Sequence, residues 1–148
     1  MTGHPTADDP IRVAFVCVQN AGRSQMAAAF AERERARRGL ADRVEILTGG
    51  TDPADAVHAE VLAAMADAEF DLGDREPRAI DSEELRSCDH VATMGCSTLD
   101  LGDVEGVAVR DWALPDPDGA DPGRVREIRD EVERRVVTLF DAIEAAEQ

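Results

Sequence analysis

The chain has 148 residues, which suits one domain. A compact chain of this size buries roughly 68–70% of its unfolded surface, enough for a real core. Sixteen basic residues, every one an arginine, stand against 32 acidic ones for a formal net charge of −16, so the general field argues against nucleic acid or an anionic membrane as a partner. Apolar residues make up 43% of the chain and fall into periodic segments, which speaks against intrinsic disorder. No apolar run approaches the ~18 residues of a membrane span, and the opening MTGHPTADDP lacks the apolar core of a signal peptide, so a soluble, cytoplasmic protein is expected. The acidic, lysine-free composition also points to a high-salt, halophilic cytoplasm in which screening removes self-repulsion.

Residues 1–10 read as a polar, disordered arm, and residues 11–148 as a single domain. Ile11-Arg12-Val13-Ala14-Phe15-Val16-Cys17 is a predicted buried strand, apolar and rich in β-branched residues. After a short polar stretch containing Gly22, a helical pattern begins at Ser24, with Gly39 placed to end it. Val44 to Thr48 is a second strand closed by Gly49-Gly50. A helix over His58 to Ala68 follows, with Val57, Val61, Leu62 and Met65 on one side. Asp81 to Leu85 makes one short helical turn with an acidic cap. Third and fourth strands are expected at His90–Met94 and Val107–Val109. The last 25 residues place Val125, Ile128, Val132, Val136, Leu139 and Ile143 three and four apart, as in a long amphipathic helix with an Arg/Glu outer face. The arginines of ERERARRG and VREIRDEVERR are read as solvated faces with glutamates four residues away.

Strands alternating with helices argue for an α/β fold with a parallel sheet covered on both faces and right-handed crossovers. Ligands in such folds sit outside the carboxyl ends of the strands, so functional residues are expected to follow strands.

The segment Cys17-Val18-Gln19-Asn20-Ala21-Gly22-Arg23-Ser24 meets that demand. A strand delivers Cys17, five residues loop, and Arg23-Ser24 open a helix. Successive amides of Val18, Gln19, Asn20, Ala21 and Gly22, together with the helix N-terminus, build a socket for a tetrahedral oxyanion. Arg23 grips two of its oxygens at once, and the same field favours thiolate over thiol at Cys17. Ser24 is placed to donate to the sulfur, and Asn20 to brace the loop through its amide. Cys-x5-Arg spacing alone recurs by chance; the strand before, the glycine within and the serine and helix after carry the inference.

A nucleophile attacking an oxyanion ester needs a proton for the leaving oxygen. Asp111-Trp112-Ala113-Leu114-Pro115-Asp116-Pro117-Asp118 follows the fourth strand. Asp116, between two prolines on a stiffened loop, is the first candidate for general acid, ahead of Asp118 and Asp111; the alternative is ordinary turn chemistry, since Asp-Pro recurs at Asp9, Asp52 and Asp121. Cys96 ends the third strand and is either a second thiol beside Cys17 or a packed strand-end residue. Cys88 precedes that strand and belongs at the opposite edge as a structural residue. His4, His58 and His90 lack metal-ligand spacing, no metal is required, and Trp112 reads as core.

At these residues the chain resembles the low-molecular-weight protein tyrosine phosphatase superfamily, and within it the thiol-dependent arsenate reductase branch. VAFVCVQNAGRSQMAAAF is similar to that family's nucleophile loop and first helix, and Gln25-Met26-Ala27 to the reductase branch, where phosphatases usually carry proline. GGTDPADAVHAEVLAAMAD, REPRAI and VATMGC resemble reductase segments, and DWALPDPDG the acid loop. The resemblance, over about Ile11 to Ala146, implies a three-layer α/β/α fold on a four-stranded parallel sheet. It implies Cys17 as nucleophile, Arg23 as oxyanion binder, Ser24 as thiolate stabiliser and Asp116 as general acid. It also implies arsenate reduction, with no resident cofactor and with thioredoxin, glutaredoxin or a low-molecular-weight thiol as the external reductant.

Two departures bear on this. The phosphatases carry tyrosines beside the catalytic Asp-Pro, whereas this chain has no tyrosine and places Asp118 and Gly119 there. Thioredoxin-coupled reductases carry two cysteines after the third strand; here Cys96 matches the first, and Ser97 to Gly106 contain none. The alternatives are a phosphatase working through a cysteinyl-phosphate, and a non-catalytic oxyanion- or arsenic-binding regulatory module.

Overall fold

The computed structural model describes residues 10–94, 107–115, 117 and 119–147. In chain order the elements are β1 (Ile11–Cys17), α1 (Arg23–Arg37), β2 (Val44–Gly50), α2 (Ala59–Asp67), α3 (Ser82–Arg86), β3 (His90–Met94), β4 (Ala108–Asp111) and α4 (Pro122–Glu147). All strand pairings are parallel, in the order β2-β1-β3-β4. The expected α/β architecture on a four-stranded parallel sheet is therefore the observed one.

The most apolar strand takes a central place. β1 is buried from Val13 through Cys17, because strands lie on both its edges and helices on both its faces. Strand alternation divides its side chains. Val13, Phe15 and Cys17 join the larger core with residues of α1, α2 and α4, while Ala14 and Val16 join Ile80, Leu85, Cys88 and Val91 on the other face. The two covering layers are unequal. Among the described residues only α3 contributes a helix to the smaller core.

The predicted stripe on α4 is realised: Val125, Ile128, Val132, Val136, Leu139 and Ile143 are all buried. α1 ends as the glycine foretells. Gly39 has φ +68, its amide donates to Ala36 O, and Leu40 N donates to Arg35 O, the paired bonds of a Schellman end. Trp112 is buried against Phe15, their ring centroids 5.9 Å apart.

Boundaries differ from expectation by a residue or two: α2 spans Ala59–Asp67 and α3 Ser82–Arg86, and three further shifts fall on the strands and α1. β2 runs on through both glycines to Gly50, which pairs with Cys17 of β1 and, on its other side, with Ala79. β4 lies over Ala108–Asp111 rather than 107–109. α1 starts one residue early, at Arg23. Two of the α1 arginines also differ: Arg33 and Arg38 lie at an interface with α4 rather than on a solvated surface, while Arg37 is largely exposed. Glu34 is buried and takes Arg33 at 3.0 Å, Arg38 at 3.1 Å and Arg37 at 3.6 Å. Arg33 continues to Glu133, and Arg38 to Asp141 and Glu144. Both guanidiniums also lie over aromatic rings, Arg33 over Phe30 and Phe70 and Arg38 over Phe140. On α4 the expected local pairs do form, with Glu131 holding Arg134 and Arg135.

No helix among the described residues is long and apolar enough to cross a membrane. Nor do those residues contain a cluster of three or more His, Cys, Asp or Glu able to hold a metal ion.

Candidate active site

β1 ends at Cys17, whose neighbours in register are Gly50 of β2 and Met94 of β3, so the sulfur sits at the carboxyl edge in the middle of the sheet. The loop from there to α1 is held from outside by its carbonyl groups. Thr51 N donates to Cys17 O, Asp52 N to Val18 O, Ala54 N to Gln19 O and His58 N to Ala21 O. Asn20 O receives Gln25 Nε2, and Gly22 O receives Met26 N. With all these peptides trans, a carbonyl fixed on one side turns the next N–H to the other. The segment 51–58 thus orients the amides of Val18, Gln19, Asn20 and Gly22 away from itself, and that of Asn20 donates to Cys17 Sγ at 3.3 Å. Successive amides turned to one side in this way are the geometry of a nest.

Inside the loop a relay of donors leads to the same sulfur. Asn20 Nδ2 donates to Thr48 Oγ1 at 2.9 Å and to Ser24 Oγ at 2.8 Å. Thr48 spends its own proton on Phe15 O, at 2.9 Å. Ser24, accepting from Asn20, stands with its Oγ 2.8 Å from Cys17 Sγ, where its hydroxyl can donate to a thiolate. Asn20 Oδ1 accepts from Gln25 Nε2 at 3.1 Å and from Arg78 N at 3.0 Å, so both ends of its amide are satisfied. Asn20, Ser24 and Gln25 are all buried, and Asn20 occupies the left-handed region at φ 53. Asparagine is among the few non-glycine residues that adopt this conformation readily.

Each loop residue anticipated from the sequence is present at the site. Val18 is half-buried, Gln19 is exposed and its Oε1 accepts from His58 Nε2 at 2.9 Å, and Ala21 and Gly22 are buried. His58 is therefore not an idle helix start: its main chain and side chain both clasp the loop. Arg23 opens α1 and donates from Nη1 to Leu114 O at 2.7 Å, joining the loop to the segment after β4. That segment closes in further at Pro117, whose Cγ would lie 3.0 Å from a Cβ on Gly22. Asp116, Asp118 and Cys96 lie outside the described residues, as does the arm over residues 1–9. Asp111 is at the end of β4, where its Oδ1 accepts from Thr93 Oγ1 at 3.2 Å. Cys88 is at the far edge of the sheet, as expected; burial pushes its thiol up, against the opposing pull of Arg12.

Thr48, Arg78 and the 51–58 segment were not foreseen as parts of the site. Their sequence signal is Gly49-Gly50: paired glycines at a strand end mark a place where other backbone comes close. A Cβ on Gly49 would stand 2.4 Å from Ile80 Cβ, and one on Gly50 would stand 2.4 Å from Val18 O.

A loop closes the end of the central parallel strand, with a buried cysteine at its base and an arginine at its exit, and this strand–loop–helix unit marks the α/β fold to which the chain is similar. The chain belongs to the low molecular weight phosphotyrosine protein phosphatase family, whose model matches residues 12–148. It is 65% identical over 136 residues to the Halobacterium salinarum protein named "Putative arsenate reductase", covering 92% of this chain and 95% of that one. It is 30% identical over 134 residues to the "Glutaredoxin arsenate reductase" of Synechocystis, covering 89% of this chain and 98% of that one. Among solved structures, a thioredoxin-dependent arsenate reductase of Corynebacterium glutamicum superposes with a TM-score of 0.74 at 31% identity. That match covers 95% of this chain and 65% of the Corynebacterium chain.

Proposed function

We propose that this protein reduces arsenate to arsenite, with Cys17 as the nucleophile. The observation that carries the reading is the convergence on Cys17 Sγ of the Ser24 hydroxyl and the Asn20 amide, within a loop whose carbonyl groups are tied off outside. Such a sulfur can attack a bound tetrahedral oxyanion while the loop amides and Arg23 hold its oxygens. Asp116 is assigned as the acid that protonates the departing oxygen, which leaves as water and gives a Cys17–S–As(V) adduct. A second thiol then attacks Cys17 Sγ. The S–S bond forms as the S–As bond breaks, and its electron pair reduces arsenic to As(III), released as arsenite. Cys96 is the proposed second thiol; a small cellular thiol would serve the same step. Thioredoxin, glutaredoxin or a low-molecular-weight thiol then reduces the disulfide and returns the two electrons. No resident cofactor is needed. A reducing, cytoplasmic setting suits this thiol cycle, and the acidic, lysine-free composition suits a salt-rich, halophilic one.

The relatives named as arsenate reductases support the choice of substrate, as does a loop followed by Gln25 and an acid segment without tyrosine. The family match favours one second reading, a phosphatase that hydrolyses phosphomonoesters by way of a cysteinyl-phosphate in the same loop. The test is purified protein in molar salt, given arsenate with thiol and redoxin in one assay and an aryl phosphate in another. Arsenite release that disappears in Cys17→Ser and weakens in Cys96→Ser is the expected result. Fast aryl phosphate turnover without arsenite assigns the phosphatase instead, and a Cys17→Ser variant equal to wild type in both assays removes both enzymes.

A further inference from the structure

We propose that Gln25 is a positioning residue: its amide nitrogen locks Asn20 in the left-handed conformation that aims two donors at the reactive sulfur. The inference rests on the proposed function only in taking Cys17 as the nucleophile, and is indifferent to whether arsenic or phosphorus is attacked.

Gln25 lies on the first turn of α1 and reaches back five residues along the chain. Its Nε2 donates to the main-chain oxygen of Asn20 at 3.0 Å and to that residue's side-chain Oδ1 at 3.1 Å. One nitrogen thus ties together the backbone and the side chain of the residue at φ 53. Both consequences of that conformation end at Cys17. Asn20 N–H donates to Sγ at 3.3 Å, and Asn20 Nδ2 donates at 2.8 Å to Ser24 Oγ, itself 2.8 Å from Sγ.

The other end of the Gln25 amide shows what the residue is for. Its Oε1 is buried and has no hydrogen-bond partner among the described residues. Turning the amide over is no remedy, because Oε1 would then face two oxygens of Asn20. The side chain is 1% exposed, in a place where methionine or leucine would fill the volume with no unsatisfied carbonyl. A glutamine at this position is explained by the two bonds its nitrogen makes, not by packing.

The experiment is alkylation of Cys17 by iodoacetamide, followed by mass spectrometry of the Cys17 peptide from pH 5 to 9, with thermal unfolding measured on each sample. Gln25→Met keeps the volume and deletes the nitrogen. The expected result is a Cys17 alkylation rate at pH 6.5 about tenfold below wild type, with the profile moved to higher pH. Gln25→Glu keeps the shape and sets oxygen against oxygen, so it moves the profile the same way and serves where Gln25→Met does not fold. Asn20→Gly supplies the left-handed backbone without the side chain; in that background Gln25→Met is expected to add little further. A Gln25→Met or Gln25→Glu protein with the wild-type rate and profile overturns the inference, as does full additivity with Asn20→Gly. If wild-type Cys17 itself alkylates no faster than an unactivated thiol, the nucleophile reading fails, and the two failures are thereby told apart.

Discussion

Gly50 and Val18 approach so closely that a single methyl group would not fit between them: a Cβ on Gly50 would stand 2.4 Å from Val18 O and 3.0 Å from Asn20 N. The end of β2 is thus the floor on which the Cys17 loop rests. Gly50 also donates its N–H to Arg78 O, so it cannot retreat without breaking the pairing on its far side.

Gly50→Ala is therefore expected to displace the loop rather than merely strain the strand. Misplacing reacting groups by a fraction of an ångström to an ångström costs up to about a hundredfold in rate, and kcat/KM for the oxyanion substrate should fall on that order. Stability should drop by about 1–3 kcal/mol from overpacking. Gly39→Ala is the control. That glycine has φ +68 but open space around its Cβ position, so alanine costs about 1–2 kcal/mol of backbone strain and leaves kcat/KM unchanged. Parallel steady-state kinetics and urea unfolding of the two variants check this; equal kinetic effects would refute the role given to Gly50.

The strands and the Cys17 loop were legible because each is encoded locally. Ile11 to Cys17 is an unbroken apolar run but for Arg12, and Cys17, Gly22, Arg23 and Ser24 stand within eight residues. What braces the loop was not legible, because it comes from far along the chain. Thr48 is 28 residues from Asn20 and Arg78 is 58 residues away, and Arg78 acts there through its main-chain N–H, which leaves no mark on the sequence. Arg33 and Arg38 were misread as solvated for a related reason. An Arg/Glu-rich helix shows i,i+4 pairs whether its face meets water or another helix, and only the placement of α4 separates the two cases.

His90 begins β3 half-buried, and its Nδ1 lies 3.1 Å from Arg110 Nη1. The guanidinium can only donate, so the imidazole must accept and be neutral. Burial first, and the Arg110 charge second, lower its pKa from the ordinary 6.5, with Asp89 opposing. Below about pH 6.5 the unfolded chain binds this proton more readily than the folded one, so stability is lost as the pH falls through 6.5 toward the folded value. His90→Gln keeps an acceptor for Arg110 without a titrating ring. Between pH 7.5 and 5.5 the urea midpoint of wild type should fall relative to that of His90→Gln, and parallel curves would rule out the linkage.

Glu34 gathers Arg33, Arg37 and Arg38 while only Arg37 among them is largely exposed, at 64% of its side chain. Two of these arginines also reach carboxylates of α4, so the cluster fastens α1 to α4 in addition to their apolar contact. Removing one member of a buried ionic cluster costs about 3–5 kcal/mol, and the partial exposure here reduces that to about 1–3 kcal/mol for Glu34→Gln. The loss should appear in denaturant unfolding with kcat/KM retained, since the cluster is remote from Cys17. A double-mutant cycle with Arg38→Met should give a coupling energy of opposite sign to the single losses; simple additivity would mean that the two side chains do not share a network.

Salt acts on two opposed charge populations in this molecule. A net charge of −16 on 148 residues opposes compaction, and its reach shrinks from about 10 Å at 0.1 M salt to about 3 Å at 1 M. The Glu34 cluster is attractive and would weaken on screening if it lay in water. Glu34 at its centre is buried, however, and Arg33 and Arg38 are mostly covered, so these pairs are screened less than exposed ones. Raising KCl should therefore relieve the repulsion while sparing the attraction, so Tm is expected to climb from 0.1 to 2 M, with partial unfolding below about 1 M. The same titration on Glu34→Gln should start lower and rise nearly in parallel, because the lost interaction is the one that salt screens least. Full stability at 0.1 M with a flat or falling Tm would show that surface repulsion does not limit this fold.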